Sequence, residues 1–347
     1  MDALHERPTR RLGLAAHRVR RAAFVDIETS GLSRTGGTVA FLVGLGALEG
    51  DEFVLRQFFM PDYGDEPALL ELVGDTLAAA RDLVSFNGRA FDWPIIEMRY
   101  VLAGRRAPLS PTQHLDLLLL ARRLWRRCLA SCALSALEEP ILGLTRGQQD
   151  VPGYLIPQLY NDYVRSGDAS SIADVFYHNA IDILSLVTLA ARIGRALSEP
   201  VDAPAGPYRD PLALGMLYER AGRPAEAAAA LRAAAESGDG ATAATAARRL
   251  ALLLRRAGEP DAAMAVWREQ AARGDVTAAI ELAKQYEHRL RDDAAALEVI
   301  DGAIAHLEAE PRGMTRYERT RLMRDLSHRR ERVARRLNRT RDAAERT

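Results

Sequence analysis

Two carboxylates one residue apart, Asp26 and Glu28, interrupt the apolar run Ala-Ala-Phe-Val-Asp-Ile-Glu-Thr. The run predicts a β-strand, and residues i and i+2 of a strand project from the same face. The two charges then lie side by side next to a core, where they repel each other and burial costs each of them more. A divalent cation is the simplest way to offset that cost. The pair therefore predicts part of a metal site whose other ligands come from elsewhere in the chain.

The length of 347 residues exceeds one typical core and predicts two domains. The formal charge is zero, so the overall balance indicates no partner. The two cysteines, Cys128 and Cys132, are interpreted as small buried residues, because a structural zinc site takes four ligands. Without a disulfide framework, a reducing cytoplasm is the expected location. The longest apolar stretch, Thr38 to Leu48, is too short to span a bilayer, so no membrane association is predicted.

The N-terminal half alternates strand and helix signals. Residues 1–21 form an arginine-rich arm, and residues 22–197 begin with a predicted strand hairpin that is followed by alternating strands and helices. This order predicts a mixed α/β sheet. Residues 198–211 contain four prolines and therefore predict a linker, because proline does not continue a helix.

The C-terminal half is rich in alanine and repeats itself. Ala221-Gly222-Arg223-Pro224 recurs 36 residues later as Ala257-Gly258-Glu259-Pro260. Helix-turn-helix units of about 34 residues with small packing residues are typical of tetratricopeptide repeats, which we predict for residues 212–310. Such repeats usually present a surface to a protein partner. Residues 311–347 predict a basic helical tail, which is either a phosphate-binding face or a solvated helix.

Two further segments carry polar residues suited to chemistry. Asn87-Gly88-Arg89-Ala90-Phe91-Asp92 predicts a strand end, a glycine turn and a helix start, where α/β folds place ligands. Taken alone, Asp92 is more simply explained as the N-cap of that helix. In the predicted helix around Tyr177, His178 and Asp182 are spaced i, i+4 and share a face. Taken alone, this second pair is more simply explained as a surface interaction.

In this order the three segments resemble the exonuclease superfamily with four acids, Asp-Glu-Asp-Asp, on a ribonuclease-H-like fold. The resemblance covers about residues 22–195, and it is closer still to the YprB-type ribonuclease-H-like domain family. Two stretches support it, His114-Leu115-Asp116-Leu117 and the loop from Arg146 to Gly153. It implies an α/β fold with a ribonuclease-H-like mixed sheet flanked by helices. Behind it we expect an all-α domain of tetratricopeptide-like repeats.

The resemblance also implies roles for the matched residues. Two divalent cations, Mg²⁺ or Mn²⁺, suit oxygen ligands, and four acids would hold them: Asp26, Glu28, Asp92 and Asp182. His178 would be the general base that takes the proton of the attacking water. Contacts to the terminal nucleotide are implied for Thr29, Leu32, Asn87 and Phe91, with Asp116 and Arg146 as auxiliary residues.

The identity of the base and the role of Asp116 stay open. In the histidine subclass of the family the base stands five residues before the last Asp, and in the tyrosine subclass four residues before it. Here His178 occupies the four-residue position and Tyr177 the five-residue position. Helical geometry favours His178, because i and i+4 align. Asp116 is either near the site as a ligand or paired with Arg122 or Arg123.

These patterns favour a metal-dependent 3′→5′ exonuclease that acts on single-stranded ends of DNA or RNA. One alternative is a catalytically weak protein that binds nucleic acid or acts as a scaffold through its repeats. Another is a structure-specific endonuclease that uses the same site. The presence of all four acids and a base favours an enzyme. The choice between DNA and RNA depends on contacts to the 2′-hydroxyl, to which no residue can be assigned.

Overall fold

The computed structural model describes residues 21–31, 36–108, 114–170, 172–199, 208–309 and 314–344, with side chains as far as residue 340. The candidate Leu32, the basic arm up to residue 20 and most of the predicted linker lie outside the described residues. By internal contacts the chain divides into two compact units, Met1–Ala213 and Leu214–Thr347.

A mixed sheet forms the centre of the N-terminal unit. Its strands are β1 (Ala22–Thr29), β2 (Ala40–Glu49), β3 (Glu52–Phe59), β4 (Asp82–Ser85) and β5 (His114–Asp116). They lie in the order β3-β2-β1-β4-β5. β2 is antiparallel to β1 and β3, whereas β4 is parallel to β1 and β5. The turn at Gly50, with φ +64°, closes the β2–β3 hairpin. The predicted mixed sheet is confirmed.

Helices cover this sheet and complete the core. They are α1 (Glu66–Ala78), α2 (Asp92–Leu102), α3 (Leu117–Trp125), the short α4 (Leu134–Leu137), α5 (Ile156–Ser166) and α6 (Ile172–Ser198). The long helix α6 packs on β1, β2 and β3, and α5 packs on β1 and α6. One apolar core joins the strands to α1, α2, α5 and the start of α6. Within it the rings of Phe41 and Tyr160 stack with centroids 3.9 Å apart.

Two glycines of β2 allow α6 to lie close to the sheet. A Cβ at Gly44 would lie 2.3 Å from Asn179 Oδ1, and a Cβ at Gly46 would lie 2.7 Å from Ile183 Cγ2. Atoms in a packed interior do not approach so closely, so a larger residue at either position would push α6 off the strand. The glycines thereby determine how near α6 brings its polar residues to β1.

The C-terminal unit consists of helices that follow one another along the chain. They are α7 (Pro211–Ala221, whose last eight residues belong to this unit), α8 (Pro224–Ser237), α9 (Gly240–Arg256), α10 (Pro260–Ala272), α11 (Val276–Gln285), α12 (Asp293–Glu308) and α13 (Arg316–Ala344). From α8 onward each helix packs against the next. Gly222 and Gly258, at matching positions of the predicted repeat, have φ values of +70° and +83°. The helical region is confirmed, and its assignment to tetratricopeptide repeats stays a prediction. None of the described helices has the length and hydropathy needed to cross a membrane.

The arginine-rich helix α13 docks on its own unit through a buried carboxylate. The side chain of Glu287 is 0% exposed and accepts hydrogen bonds from Arg329, from Arg332 at 2.8 Å and from Arg336 at 3.0 Å. Burial acts to raise the pKa of Glu287, but the hydrogen bonds from Arg332, Arg329 and Arg336 outweigh it and lower that pKa to about 2. The ion pairs therefore connect one turn of the unit to successive turns of α13.

Other contacts of α13 are of the same kind. Arg330 pairs with Asp301 at 2.5 Å, and Arg336 also donates to Asp293 at 2.7 Å. Leu326 and Val333 are buried in the core that α11 and α12 share with this helix. The segment predicted as a basic tail is thus a docked helix, and several of its arginines are neutralised by acids of the same unit.

Glu287→Gln tests this docking. We expect the substitution to destabilise the C-terminal unit by about 1–3 kcal/mol, because it removes the anion that Arg329, Arg332 and Arg336 share. Because its folded pKa lies below the unfolded value of about 4.3, the wild-type carboxylate stabilises the fold above that pH. This stabilisation is lost as pH falls towards about 2. Urea unfolding across this pH range should show that the free energy of unfolding of the wild type falls as pH falls. The free energy of unfolding of the variant should fall less. Glu331→Gln, at an exposed pair with Arg335, is the control and should cost at most about 1 kcal/mol.

Candidate active site

Asp26 and Glu28 lie on β1, the middle strand of the sheet. Strand alternation puts both on one face. Glu28 is 9% exposed, and Asp26 is partly buried. The pairing register of β1 shifts between Glu28 and Thr29, an irregularity that redirects the end of the strand. The carboxylate pair therefore stands where the central strand leaves the sheet.

A buried amide orients the Asp26 carboxylate. Asn179 of α6 donates from Nδ2 to Asp26 Oδ2 at 2.9 Å, and its Oδ1 accepts a hydrogen bond from Gln57 Nε2 at 2.9 Å. Gln57 also donates to the Phe176 carbonyl at 2.8 Å. Asn179 is fully buried, so this chain of hydrogen bonds holds Asp26 Oδ2 in one position. Among the described residues no hydrogen bond reaches Asp26 Oδ1.

The turn between β4 and α2 brings Asp92 to the site. Asn87 has φ +63°, a left-handed conformation that asparagine tolerates, and Gly88 follows it. A Cβ at Gly88 would lie 2.3 Å from Ser85 Oγ and 2.8 Å from Asp92 Oδ2. Asp92 is the first residue of α2, is 8% exposed and follows Phe91, which occupies the cap position. The interpretation of Asp92 as the N-cap is therefore wrong, and its carboxylate is one of the buried acids.

Asp116 holds that turn in place. Its carboxylate accepts hydrogen bonds from the backbone N–H groups of Asn87 at 2.9 Å, Arg89 at 3.3 Å and Leu118 at 3.0 Å. The bond from Leu118 caps α3. Asp116 is 6% exposed and its charge helps to raise the pKa of Asp92. The structure thus gives Asp116 a positioning role at the edge of the acid cluster.

The residues implied to contact the terminal nucleotide differ in how exposed they are. Thr29 is buried, and its hydroxyl donates to the Gly31 carbonyl at 2.7 Å. Asn87 is exposed on the turn, whereas Phe91 is partly buried and packs against the core. Asn87 is therefore the most accessible of the described candidates in this group.

On α6, His178 and Asp182 face a loop that carries Arg146. His178 Nε2 lies 3.7 Å from Asp182 Oδ2. The Arg146 guanidinium donates to Asp182, to Glu138 Oε1 at 2.5 Å and to Asp150 Oδ1 at 3.1 Å. One cation is therefore shared by three carboxylates, and a surface interaction does not explain the pair on α6.

Asp150 orients the His178 ring. His178 Nδ1 lies 2.8 Å from Asp150 Oδ1, and Arg146 Nη1 lies 3.3 Å from the same nitrogen. With the ring proton on Nδ1 and donated to Asp150, the lone pair is on Nε2, the nitrogen nearer Asp182. A histidine held in this way is suited to accept a proton at Nε2.

Tyr177 has a different partner. Its hydroxyl accepts a hydrogen bond from the Gly147 backbone N–H at 3.1 Å. The two base candidates therefore differ, because the histidine contacts Asp150 and Asp182 whereas the tyrosine hydroxyl contacts the loop backbone. This difference adds support to His178, and the assignment of the base stays a prediction.

Sequence reasoning gave no role to three residues of this site. They are Asn179, Asp150 and Glu138. A polar residue on the apolar side of a long helix was an available signal for Asn179. Glu138, only 2% exposed, also accepts a hydrogen bond from Ser185 Oγ at 2.7 Å. No sequence pattern signals this contact, because the two residues are 47 positions apart and meet only in the folded chain.

Burial and nearby acids raise the pKa values of the four candidate metal ligands. Burial, followed by repulsion from Asp182, raises the pKa values of Asp26 and Glu28 well above their usual range. Burial, Asp116 and Asp182 raise the pKa of Asp92 to about 8. Burial also raises the pKa of Asp182, against the opposing effect of His178 and Arg146. Repulsion from Asp182 therefore reaches the other three acids to which the resemblance gives a common role.

The donor set fits divalent cations by its chemistry. Buried carboxylates that repel one another are hard oxygen donors with excess negative charge, as Mg²⁺ and Mn²⁺ prefer. Within the described ranges, no group of three or more His, Cys, Asp or Glu residues is already arranged to hold a metal ion. Asp182 instead contacts Arg146. The residues that would hold the cations are Asp26, Glu28, Asp92 and Asp182.

Known proteins are similar to the part of the chain that carries this site. The family model described as RNase_H superfamily matches residues 23–193. The chain is 35% identical over 182 residues to the uncharacterized protein YprB of Bacillus subtilis (strain 168). That alignment covers 52% of this chain and 44% of the relative, so the chain spans less than half of the length of that relative.

A solved structure is also similar. It is the family B DNA polymerase from the hyperthermophilic archaeon Pyrobaculum calidifontis, with 13% identity and a TM-score of 0.38. The similarity covers 61% of this chain and 29% of the polymerase chain.

The raised pKa values predict how stability depends on pH without metal. Because the folded pKa of Asp92 is about 8 and an unfolded Asp has about 3.9, the metal-free protein should lose stability as pH rises between these values. We expect the melting temperature in EDTA to fall over this range. Added Mn²⁺ should reduce the fall, because a bound cation offsets the repulsion. Asp92→Asn, which removes one titrating carboxyl, should also flatten the curve, whereas Asp162→Asn, on an exposed pair, should leave it unchanged. A melting temperature that does not respond to pH or to Mn²⁺ contradicts this account.

Proposed function

We propose that this chain, whose residues 23–193 match the family model described as RNase_H superfamily, is a metal-dependent nuclease that removes nucleotides from the 3′ ends of single strands. The observation that carries the proposal is the cluster of four buried or partly buried carboxylates with raised pKa values, Asp26, Glu28, Asp92 and Asp182, beside an oriented histidine. Phosphodiester hydrolysis needs such a charge, because it attracts the cations that neutralise a pentacoordinate phosphate.

When bound, two divalent cations supply an activated water and stabilise charge on the leaving 3′-oxygen. The residues of the chain have separate tasks around that reaction. Asn179 keeps Asp26 in one orientation through its 2.9 Å hydrogen bond. Asp150 keeps His178 with Nε2 available, and His178 takes the water proton at that atom. Arg146 offsets part of the charge around Asp182 and links it to the loop.

Substrate ends would meet the turn after β4. Asn87 is exposed there and lies on a backbone fixed by Asp116. Phe91, packed on the core behind it, supports the turn. We assign Asn87 a contact to the terminal nucleotide on this basis. Thr29, at the end of β1, is close in sequence to Glu28 and is proposed to shape the same end of the site. Residues beyond the described ones, including Leu32, keep the role that the family resemblance implies.

Asp26→Ala is the direct test of the activity. Purified wild-type protein with Mg²⁺ or Mn²⁺ should shorten end-labelled single strands from the 3′ end, and the variant should be slower by about 10²–10³-fold, the usual loss when one transition-state contact is removed. Asp162→Ala, an exposed acid of the same domain, is the control and should keep full activity. A wild-type protein that shortens no DNA or RNA strand, or an equally active Asp26→Ala variant, would refute the proposal. Cleavage of a circular single strand would indicate an endonuclease.

The base is tested by two neighbouring substitutions. His178→Ala should lower kcat by about 10²–10⁴-fold, the usual contribution of a general base, with KM little changed. Tyr177→Phe should alter kcat little, because it removes only the hydroxyl that holds Gly147. Added imidazole should restore part of the rate to His178→Ala. The reverse pattern, a slow Tyr177→Phe and a normal His178→Ala, would assign the base to Tyr177.

A further inference from the structure

Arg89 stands on the turn that carries the active-site acid Asp92 and has no role in the mechanism above. It lies four residues after the end of β4 and three residues before Asp92, and its side chain is exposed. Its backbone is fixed, because its N–H donates to Asp116 Oδ2 at 3.3 Å and the next N–H, of Ala90, donates to the Asn87 carbonyl at 3.0 Å. A long cationic side chain therefore projects from a rigid backbone at the edge of the acid cluster.

The guanidinium of Arg89 is free of ion pairs in the part of the chain that the structure describes. By contrast, Arg146 is shared by Glu138, Asp150 and Asp182. Arg127, on α3, pairs with Asp210 at 2.7 Å. Cations that are already paired contribute little to binding a phosphate, because the acid partner competes for the same donors. With respect to the residues that the structure describes, Arg89 keeps its side-chain donors available.

The positive charge of Arg89 affects His114, a residue near the acid cluster. Burial, followed by the positive charge of Arg89, lowers the pKa of His114 to about 4. His114 lies within 2.6 Å of Ser85 Oγ, at the end of β4, and its ring is edge-on to Trp93 at 6.3 Å between centroids. Arg89 is therefore electrostatically close to the end of β4 and the start of α2, which carry the turn and Asp92.

An acidic site that binds a nucleic-acid strand needs a cation to offset the repulsion between its carboxylates and the phosphates of the strand. Its carboxylates far outnumber its buried arginine, so a polyanionic strand meets repulsion on the way in. Cations held by the acids would act on the scissile phosphate. The neighbouring phosphates of the same strand would then lack a counter-charge. An unpaired arginine at the edge of the cluster can supply it, because its planar fork donates two parallel hydrogen bonds to a phosphate.

We infer that Arg89 binds a backbone phosphate of the nucleic-acid strand next to the reactive site. This inference rests on the proposed nuclease function and deepens it by naming a residue that holds the strand in register. Because a contact to phosphate carries no base information, Arg89 contributes to affinity and to the position of the strand for any sequence.

Binding without turnover tests this directly. We would measure fluorescence anisotropy of a labelled single-stranded oligonucleotide, as DNA and as RNA, with the full-length chain in Ca²⁺ over a series of salt concentrations. Arg89→Ala should weaken binding about 10-fold, the loss expected for one charged hydrogen-bonded contact. The slope of log K against log salt should become shallower by about 0.7, the value for one phosphate on a single strand. Arg89→Lys should keep the slope and recover part of the affinity, because it retains the charge but loses the fork.

Arg81 provides a matched control on the same strand. It is exposed and directly precedes β4, so it lies at the opposite end of that strand from Arg89. Arg81→Ala should leave the affinity and the salt slope at their wild-type values. Both variants change exposed side chains, so their melting temperatures should match wild type. In turnover assays Arg89→Ala should raise KM and leave kcat nearly unchanged, a split that damage to the fold would not give.

The outcomes separate this inference from the function on which it rests. If Arg89→Ala binds with the wild-type affinity and slope while wild type cleaves and Asp26→Ala does not, Arg89 has no phosphate contact and the nuclease function stands. Equal losses in Arg81→Ala and Arg89→Ala would also overturn the inference, because the effect would then be one of general charge. If wild type neither binds nor cleaves either nucleic acid, both proposals fall together.

Discussion

Concentrated negative charge at the end of the central strand is the constraint on which the N-terminal unit depends. Asp26, Glu28 and Asp92 are held in or near the interior, and burial together with repulsion from neighbouring acids raises the pKa of each. Buried charges of one sign are costly unless an opposite charge is near. Arg146 supplies part of it on the side of Asp182, but it is divided among three carboxylates. The remaining charge is the physical basis of the divalent-cation binding that we propose.

The residues around the acids place the carboxylates correctly, and they do so at a cost in folding stability. Gly44 lets Asn179 reach Asp26, and Gly88 leaves space for Ser85 and Asp92. Glycine weakens a strand and adds entropy to the unfolded chain, so each of these positions costs stability. The buried amide of Asn179 and the left-handed Asn87 add further cost. Such costs concentrated around one group of acids are expected where geometry is under selection for function.

Much of the fold and part of the site could be predicted from local patterns. Alternation and turn residues predicted the mixed sheet, because strand and hairpin signals lie within a few residues of each other. Spacing along one strand and one helix paired Asp26 with Glu28 and His178 with Asp182. The links between distant segments could not be found in this way. Arg146 meets Asp182 across 36 residues and Asn179 meets Asp26 across 153. Such contacts exist only after the chain has folded.

The arginines of this chain show why composition is a poor guide to nucleic-acid binding. A basic run such as the one in α13 resembles a phosphate-binding face in sequence. In the fold, Arg329, Arg332 and Arg336 surround Glu287 and serve the docking of that helix. An arginine bound to a buried carboxylate would have to break that contact to reach a phosphate, at a cost greater than the new contact returns. Capacity for phosphate therefore depends on which arginines remain unpaired next to the acids, and this is why the proposed phosphate contact is assigned to Arg89 on the turn before Asp92.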